Sequence, residues 1–167
     1  TDWLNFICGT QPGSFCSAFT PIDPSDLNVP SIAIGDMAGT QTITRKVTNV
    51  GGAAATYTAS LTGMAGFTAV VSPASLALAK GETKSFTVAF TRTTAPLNAY
   101  TGGQLTWNDG AHNVRIPIVV RPVALAAPTQ VSGSYSVTFG YDGAFTATAR
   151  GLVPAALTAG TVADDPT

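Results

Sequence analysis

The chain has 167 residues, 45% of them hydrophobic and only 10% charged, with a net charge of −1 and eight Lys plus Arg. That balance supports a packed core and excludes the low-hydrophobicity, high-charge composition of disordered chains. It also argues against a nucleic-acid partner, which needs a basic face, and against a membrane span, because the longest apolar run, Ile116 to Val120, is far short of about 20 residues.

In chain order, residues 1–8 place Trp3, Phe6 and Ile7 at spacings that fit one short helical turn, with Asp2 as its cap. Cys8 and Cys16 follow in one short segment. A metal or redox pair does not suit them, since there is no CxxC and the one histidine, His112, is remote. They are expected to form a local disulfide around Gly9, Pro12 and Gly13, as in secreted chains. Residues 9–30, rich in Gly, Pro, Ser and Asp, read as irregular chain. No leader segment is visible, so a mature or excised chain is expected.

From Ser31 the period becomes two. Tyr57, Ala59 and Leu61 alternate with polar residues, as do Phe86, Val88 and Phe90, and then Val114, Ile116, Ile118 and Val120. That is the pattern of strands with one face on a core. Strands are predicted near 31–35, 41–50, 54–62, 67–72, 75–79, 83–92, 100–108 and 112–121. The turns between them are marked by Asn49–Gly52, Gly63–Gly66, Lys80–Glu82 and Asn108–Gly110. The fold class is all-β, an antiparallel immunoglobulin-like β-sandwich of about seven strands, with a short N-terminal helical segment and a C-terminal β-hairpin extension. Pro117 puts its strand at an edge, or its nitrogen away from the ladder. Trp107 reads as a core filler.

Arg121 to Pro128 reads RPVALAAP, and residues 122–130 read as a linker. Beyond it, Tyr135, Val137, Phe139 and Tyr141 form one face, a turn follows at Asp142-Gly143, and Phe145, Ala147 and Ala149 read as the return strand of a hairpin. Two strands alone are marginal in water, so they should lean on the main body. The expected organisation is a linker segment over 1–25, a sandwich over 26–121, a linker over 122–130 and a β extension over 131–167, the last able to open a further module.

No catalytic constellation is apparent. A serine-protease triad would have to use His112, which reads as an exposed hairpin histidine, and no GxSxG or GTSMA-type serine motif is present. The single Glu, Glu82, lies in a turn, and the only adjacent acids, Asp164-Asp165, lie in the tail. Asp23 and Asp26 could make a weak calcium site, although a solvated loop suits them better. No cofactor is expected. Tyr100, Tyr135 and Tyr141 are the aromatics available to a free-standing glycan-, wall- or protein-binding module, the alternative function.

Several stretches, taken in order over residues 26–120, resemble the fibronectin type III-like domain at the C-terminal end of subtilisin-like serine proteases. They are Asp26-Leu-Asn-Val-Pro-Ser-Ile-Ala-Ile34, Thr44-Arg-Lys-Val-Thr-Asn-Val-Gly51, Val71-Ser-Pro73, Gly81-Glu82, Ser85-Phe-Thr-Val88, and the run from Gly103 through Trp107, Asp109-Gly110, His112 and Arg115 to Pro117. Asp2 to Gly9 and then Cys16 resemble the helix-and-cysteine segment that joins that domain to the catalytic one. Val29 departs from the pattern, standing where an aromatic is common. Residues 122–167 lie outside the pattern and suggest a further module of bacterial type. The resemblance implies a non-catalytic accessory domain of an extracellular protease whose triad lies upstream. It would pack on the catalytic domain of the same polypeptide through Trp3, Leu4, Phe6 and Ile7, and stabilise it, shape access to its cleft, or mediate a homodimer.

Overall fold

The computed structural model describes residues 2–11, 13–127, 136–146 and 148. A helix, α1 (Asp2–Thr10), is followed by two short 3-10 turns at Ser14–Ala18 and Pro24–Asp26. Asp2 lies in the first turn of α1 rather than ahead of it, where its charge suits the positive end of the helix. Eight strands then follow: β1 (Ile32–Met37), β2 (Thr40–Thr48), β3 (Ala55–Gly63), β4 (Phe67–Ser72), β5 (Ser75–Leu78), β6 (Thr83–Arg92), β7 (Thr101–Asn108) and β8 (Asn113–Pro122). Their bounds lie within one or two residues of those the alternation predicts.

The strands form two sheets. One has the order β1-β8-β7-β3-β5 and the other β2-β6-β4. Pairing is antiparallel except at β1, which runs parallel to β8 from Ile32↔Ile118 to Met37↔Pro122 with a register break between Ile34 and Met37. The sequence pattern led us to expect antiparallel strands throughout. It fixes which face of a strand is buried but not which neighbour the strand takes. Pro117 is therefore not on an edge strand. It faces Gln104 of β7 on one side, and on the other side β1 joins only at Ile118, so the ladder there begins just past the residue that cannot donate.

The core lies between the sheets. Ile32, Ile34, Leu76, Leu78, Leu105, Trp107, Ile116, Ile118 and Val120 face Ile43, Phe86, Val88 and Phe90, all buried. Full burial of side chains of this size contributes about 1.5–3 kcal/mol each. Trp107 fills the centre, edge-on to Phe86 with ring centroids 5.1 Å apart.

The C-terminal extension pairs differently from the expected hairpin. Thr138–Phe139 (β10) pairs antiparallel with Leu125–Ala126 (β9), inside the stretch read as linker. Phe145 is not in a strand, and Tyr135, Ala147 and Ala149 lie outside the described residues. The described part of the extension does lean on the sandwich, since a Cβ on Gly140 would fall 3.2 Å from the Gly39 nitrogen, between β1 and β2.

Candidate functional site

Among the described residues, side-chain hydrogen bonds concentrate in the N-terminal segment with its attachment to β2 and in the β7–β8 loop.

The N-terminal segment is closed by the disulfide Cys8–Cys16, with Cα atoms 5.6 Å apart. Its apolar side chains are not absorbed into the core. Trp3 is 63% exposed, Leu4 40% and Phe15 50%, while Phe6 and Ile7 are half-buried. Trp3 packs edge-on to Phe6 at 5.7 Å. The structure therefore gathers Trp3, Leu4, Phe6 and Ile7 on one short helix and adds Phe15, which the sequence reading left out. Contact between the helix and the chain behind it is close: Ile22 N–H donates to the Asn5 carbonyl at 3.3 Å, and a Cβ on Gly9 would fall 2.0 Å from the Ile22 carbonyl oxygen.

From Asp23 to Ser31 the chain is tied to β2 by side-chain hydrogen bonds. Asp26 Oδ1 accepts from Thr44 N–H at 2.7 Å and Asn28 Oδ1 from Lys46 N–H at 2.8 Å, so two acceptors spaced i, i+2 satisfy alternate donors along the outer edge of β2. Asp23 Oδ1 accepts from the backbone N–H and hydroxyl of Ser25 at 2.8 and 2.6 Å. Gln41 donates to the Ser25 hydroxyl at 2.8 Å. Asp23 and Asp26 thus serve as backbone caps on a loop where Asp23 is exposed and Asp26 half-buried.

Arg45 completes this attachment. It occupies a core-facing position of β2, between Ile43 and Val47, and is 3% exposed. Nη1 donates to the carbonyls of Ser25 at 2.6 Å and Thr44 at 2.9 Å, and Nη2 to that of Ser31 at 3.0 Å. Burial pushes its pKa down, partly countered by the Asp26 carboxylate. Sequence reading missed it as a structural residue. The available signal was its phase, since Arg45 shares the inward parity of Ile43 and Val47.

Asn49 does similar work at the far end of β2. It is buried, donating through Nδ2 to the carbonyls of Ala53 at 2.9 Å and Leu78 at 3.1 Å, and accepting at Oδ1 from Gly51 N–H at 2.9 Å. It fixes the turn against β5.

In the β7–β8 loop, Asp109 Oδ1 accepts from the N–H groups of Ala111 at 2.9 Å and His112 at 2.6 Å, and Oδ2 meets His112 Nδ1 at 2.9 Å. These bonds, with the His112 side chain the largest contributor, hold the Asp109 carboxyl far below the usual carboxylate range. Gly110 takes φ +92°, as the tight turn requires. The His112 side chain is 74% exposed. Tyr57 has its pKa pushed up, first by burial and then by the Asp109 charge. Beside this loop, a crevice of about 180 Å³ opens between Val47, Val50, Tyr57, Leu76, Trp107 and Val114. Tyr100 is exposed, with the Arg121 guanidinium 5.7 Å from its ring centre, and Tyr141 packs edge-on to Phe139.

Among the described residues, no group of three or more His, Cys, Asp or Glu is placed to hold a metal ion. His112 is backed by Asp109.

Residues 26–120 match the family model described as fibronectin type-III domain. The chain is 46% identical over 101 residues to the subtilisin-like protease SBT3.1 of Arabidopsis thaliana, covering 58% of this chain and 13% of that protein. It is 36% identical over 129 residues to SBT2.5, covering 71% of this chain and 16% of the relative, and 34% identical over 131 residues to SBT5.4, covering 72% and 17%. Both are subtilisin-like proteases of the same plant. The chain thus spans less than one fifth of the length of each of these relatives. They are plant proteins, so the bacterial placement of the C-terminal extension has no support from them.

Proposed function

The chain belongs to the fibronectin type-III domain family, and from that membership we propose that it is the non-catalytic accessory domain of a secreted subtilisin-like serine protease, docked on the catalytic domain of the same polypeptide. The observation that carries the proposal is the match itself, 34–46% identity to subtilisin-like proteases of which the chain spans only 13–17%. The N-terminal segment, residues 1–25, supports it physically. A disulfide-closed segment that exposes Trp3 and Leu4 on its helix and Phe15 on the following 3-10 turn leaves apolar area in water, and such patches mark contact sites. The sandwich over 26–121 is the rigid body behind that segment. A tethered partner acts at high effective concentration, so a small contact suffices to stabilise the folded catalytic domain. The disulfide is consistent with an extracellular setting, and no helix among the described residues is long and apolar enough to cross a membrane.

The test is made in the parent protease. Replacing Trp3 and Leu4 with Asp should lower the melting temperature of the catalytic domain and its secreted yield. An unchanged melting temperature, yield and substrate range, in these variants and in a deletion of residues 1–167, would overturn the proposal.

A further inference from the structure

The two sheets end in four edge strands, β1 and β5 in the larger and β2 and β4 in the smaller. An edge presents unpaired N–H and C=O groups that can template another strand, and folded proteins blunt it with charges, short strands, bulges or side-chain cover. Three of these four edges are blunted. β2 has its outward donors capped by Asp26 and Asn28, and it carries Arg45 and Lys46. β1 breaks register between Ile34 and Met37 and carries Asp36, ion-paired with Arg121. β5 is four residues long, and Lys84 Nζ donates to its Ala77 carbonyl at 2.5 Å.

Among the described residues, β4 has none of these devices. It runs six residues in unbroken register with β6, from Phe67↔Arg92 to Ser72↔Thr87. It holds no charge, proline or bulge, and the whole stretch 51–79 contains no Asp, Glu, Lys or Arg. Among the described residues the one side-chain bond to its backbone, Thr87 Oγ1 to the Ser72 carbonyl at 3.3 Å, comes from its inner neighbour β6. Thr68, Val70 and Ser72 face solvent, Val70 with 55% exposure.

We propose that β4 is the edge through which the chain pairs with a second copy of itself, antiparallel about a two-fold axis, joining two three-stranded sheets into one of six strands. Two-fold pairing sets a strand against its own sequence, so a charge there would stand opposite or diagonal to its like, which is destabilising. β4 is neutral throughout. Centred on Val70, the pairing sets Val70 against Val70 and Thr68 of each copy against Ser72 of the other, a β-branched pair and a hydroxyl pair, both favourable across strands. The edge is also free of the N-terminal segment, whose attachment covers β2 at the opposite side of the same sheet. A contact one strand wide buries less than a standard interface, so self-association is weak, at about 0.1–1 mM.

The whole chain is examined by sedimentation equilibrium up to about 1 mM. A concentration-dependent dimer is expected. Val70→Lys should weaken it about tenfold or more, since like charges then oppose each other, without lowering the melting temperature, because Val70 is exposed. Val70→Cys under mild oxidation should give a covalent dimer, and Thr42→Cys on the exposed face of β2 should not. A monomer at every concentration, or a dimer indifferent to Val70→Lys with no Val70→Cys cross-link, overturns the proposal. So does a chain that stays monomeric while residues 67–72 gain hydrogen-exchange protection only when the parent's catalytic domain is attached, which would assign the edge to that domain.

Discussion

Arg45 Nη1 donates to the carbonyl of Ser25 at 2.6 Å, across 20 residues of sequence and inside the core boundary of the smaller sheet. Through this bond and its companion to Ser31, a segment with almost no regular structure is tied to β2. Arg45→Met should cost about 2–4 kcal/mol of unfolding free energy, because it leaves buried carbonyls without donors. Arg45→Lys should recover only part of this, since an ammonium lacks the planar fork that reaches two carbonyls at once. Urea denaturation of the two variants against the parent sequence checks both values. Equal stability of Arg45→Met and the unaltered chain would show that the bonds contribute nothing net.

The caps on β2 predict smaller, additive effects. Asp26→Ala and Asn28→Ala should each cost about 1 kcal/mol, the usual net value of one such hydrogen bond, and Asn28→Asp should be nearly neutral because a carboxylate accepts equally well. Amide hydrogen exchange offers a sharper readout: Thr44 should lose protection in the first variant and Lys46 in the second, each without the other.

Acid should act on the β7–β8 loop. The Asp109 carboxyl is depressed in the folded chain, chiefly by the His112 side chain and then by the N–H groups of His112 and Ala111. A depressed carboxyl stabilises the fold fully above its unfolded pKa of about 3.9, and that contribution is lost as pH falls toward the folded value. Glu82 is depressed in the same direction by the Ala79 N–H and Lys84. Thermal melts between pH 7 and pH 2 should therefore be flat down to about pH 4 and fall below it. Asp109→Asn should flatten the lower limb, and a limb equally steep in that variant would remove Asp109 from the account.

Gly9 lets α1 pack closely against the chain at Ile22. A methyl group there would strike the Ile22 carbonyl, so Gly9→Ala should lift α1 from its seat. Proteolysis within residues 2–22 should accelerate while the melting transition of the sandwich stays in place. A single transition that moves as a whole would show instead that helix and sandwich unfold together.

The strands were legible because half-buried β structure writes itself into alternate residues. Phe86, Val88 and Phe90 announce their face, and the turns announce the ends. The attachment of residues 23–31 was not legible, since one carboxylate and one amide bonding to N–H groups 18 residues on leave no period in the sequence. Arg45 was hidden by its charge, which reads as surface until its parity with Ile43 and Val47 is weighed. The partner of Thr138–Phe139 was missed because Leu125–Ala126 is too short to alternate and sits beside prolines. Of the N-terminal segment, Trp3, Phe6 and Ile7 were legible as helical bulk and Leu4 through the family resemblance, whereas Phe15 lies on a 3-10 turn that leaves no apolar period in the sequence.

The parallel pairing of β1 with β8 sets how the domain bears tension. A pull entering at Ile32 and leaving at Pro122 draws the two neighbouring strands in opposite directions along their length, so every bond between Ile32↔Ile118 and Met37↔Pro122 is loaded at once in shear. Antiparallel neighbours loaded at their joined ends would instead open one bond at a time, like a zipper. The first and last strands of the sandwich thus form a mechanical clamp, and a stretched polypeptide would meet its resistance there before any of the core was exposed.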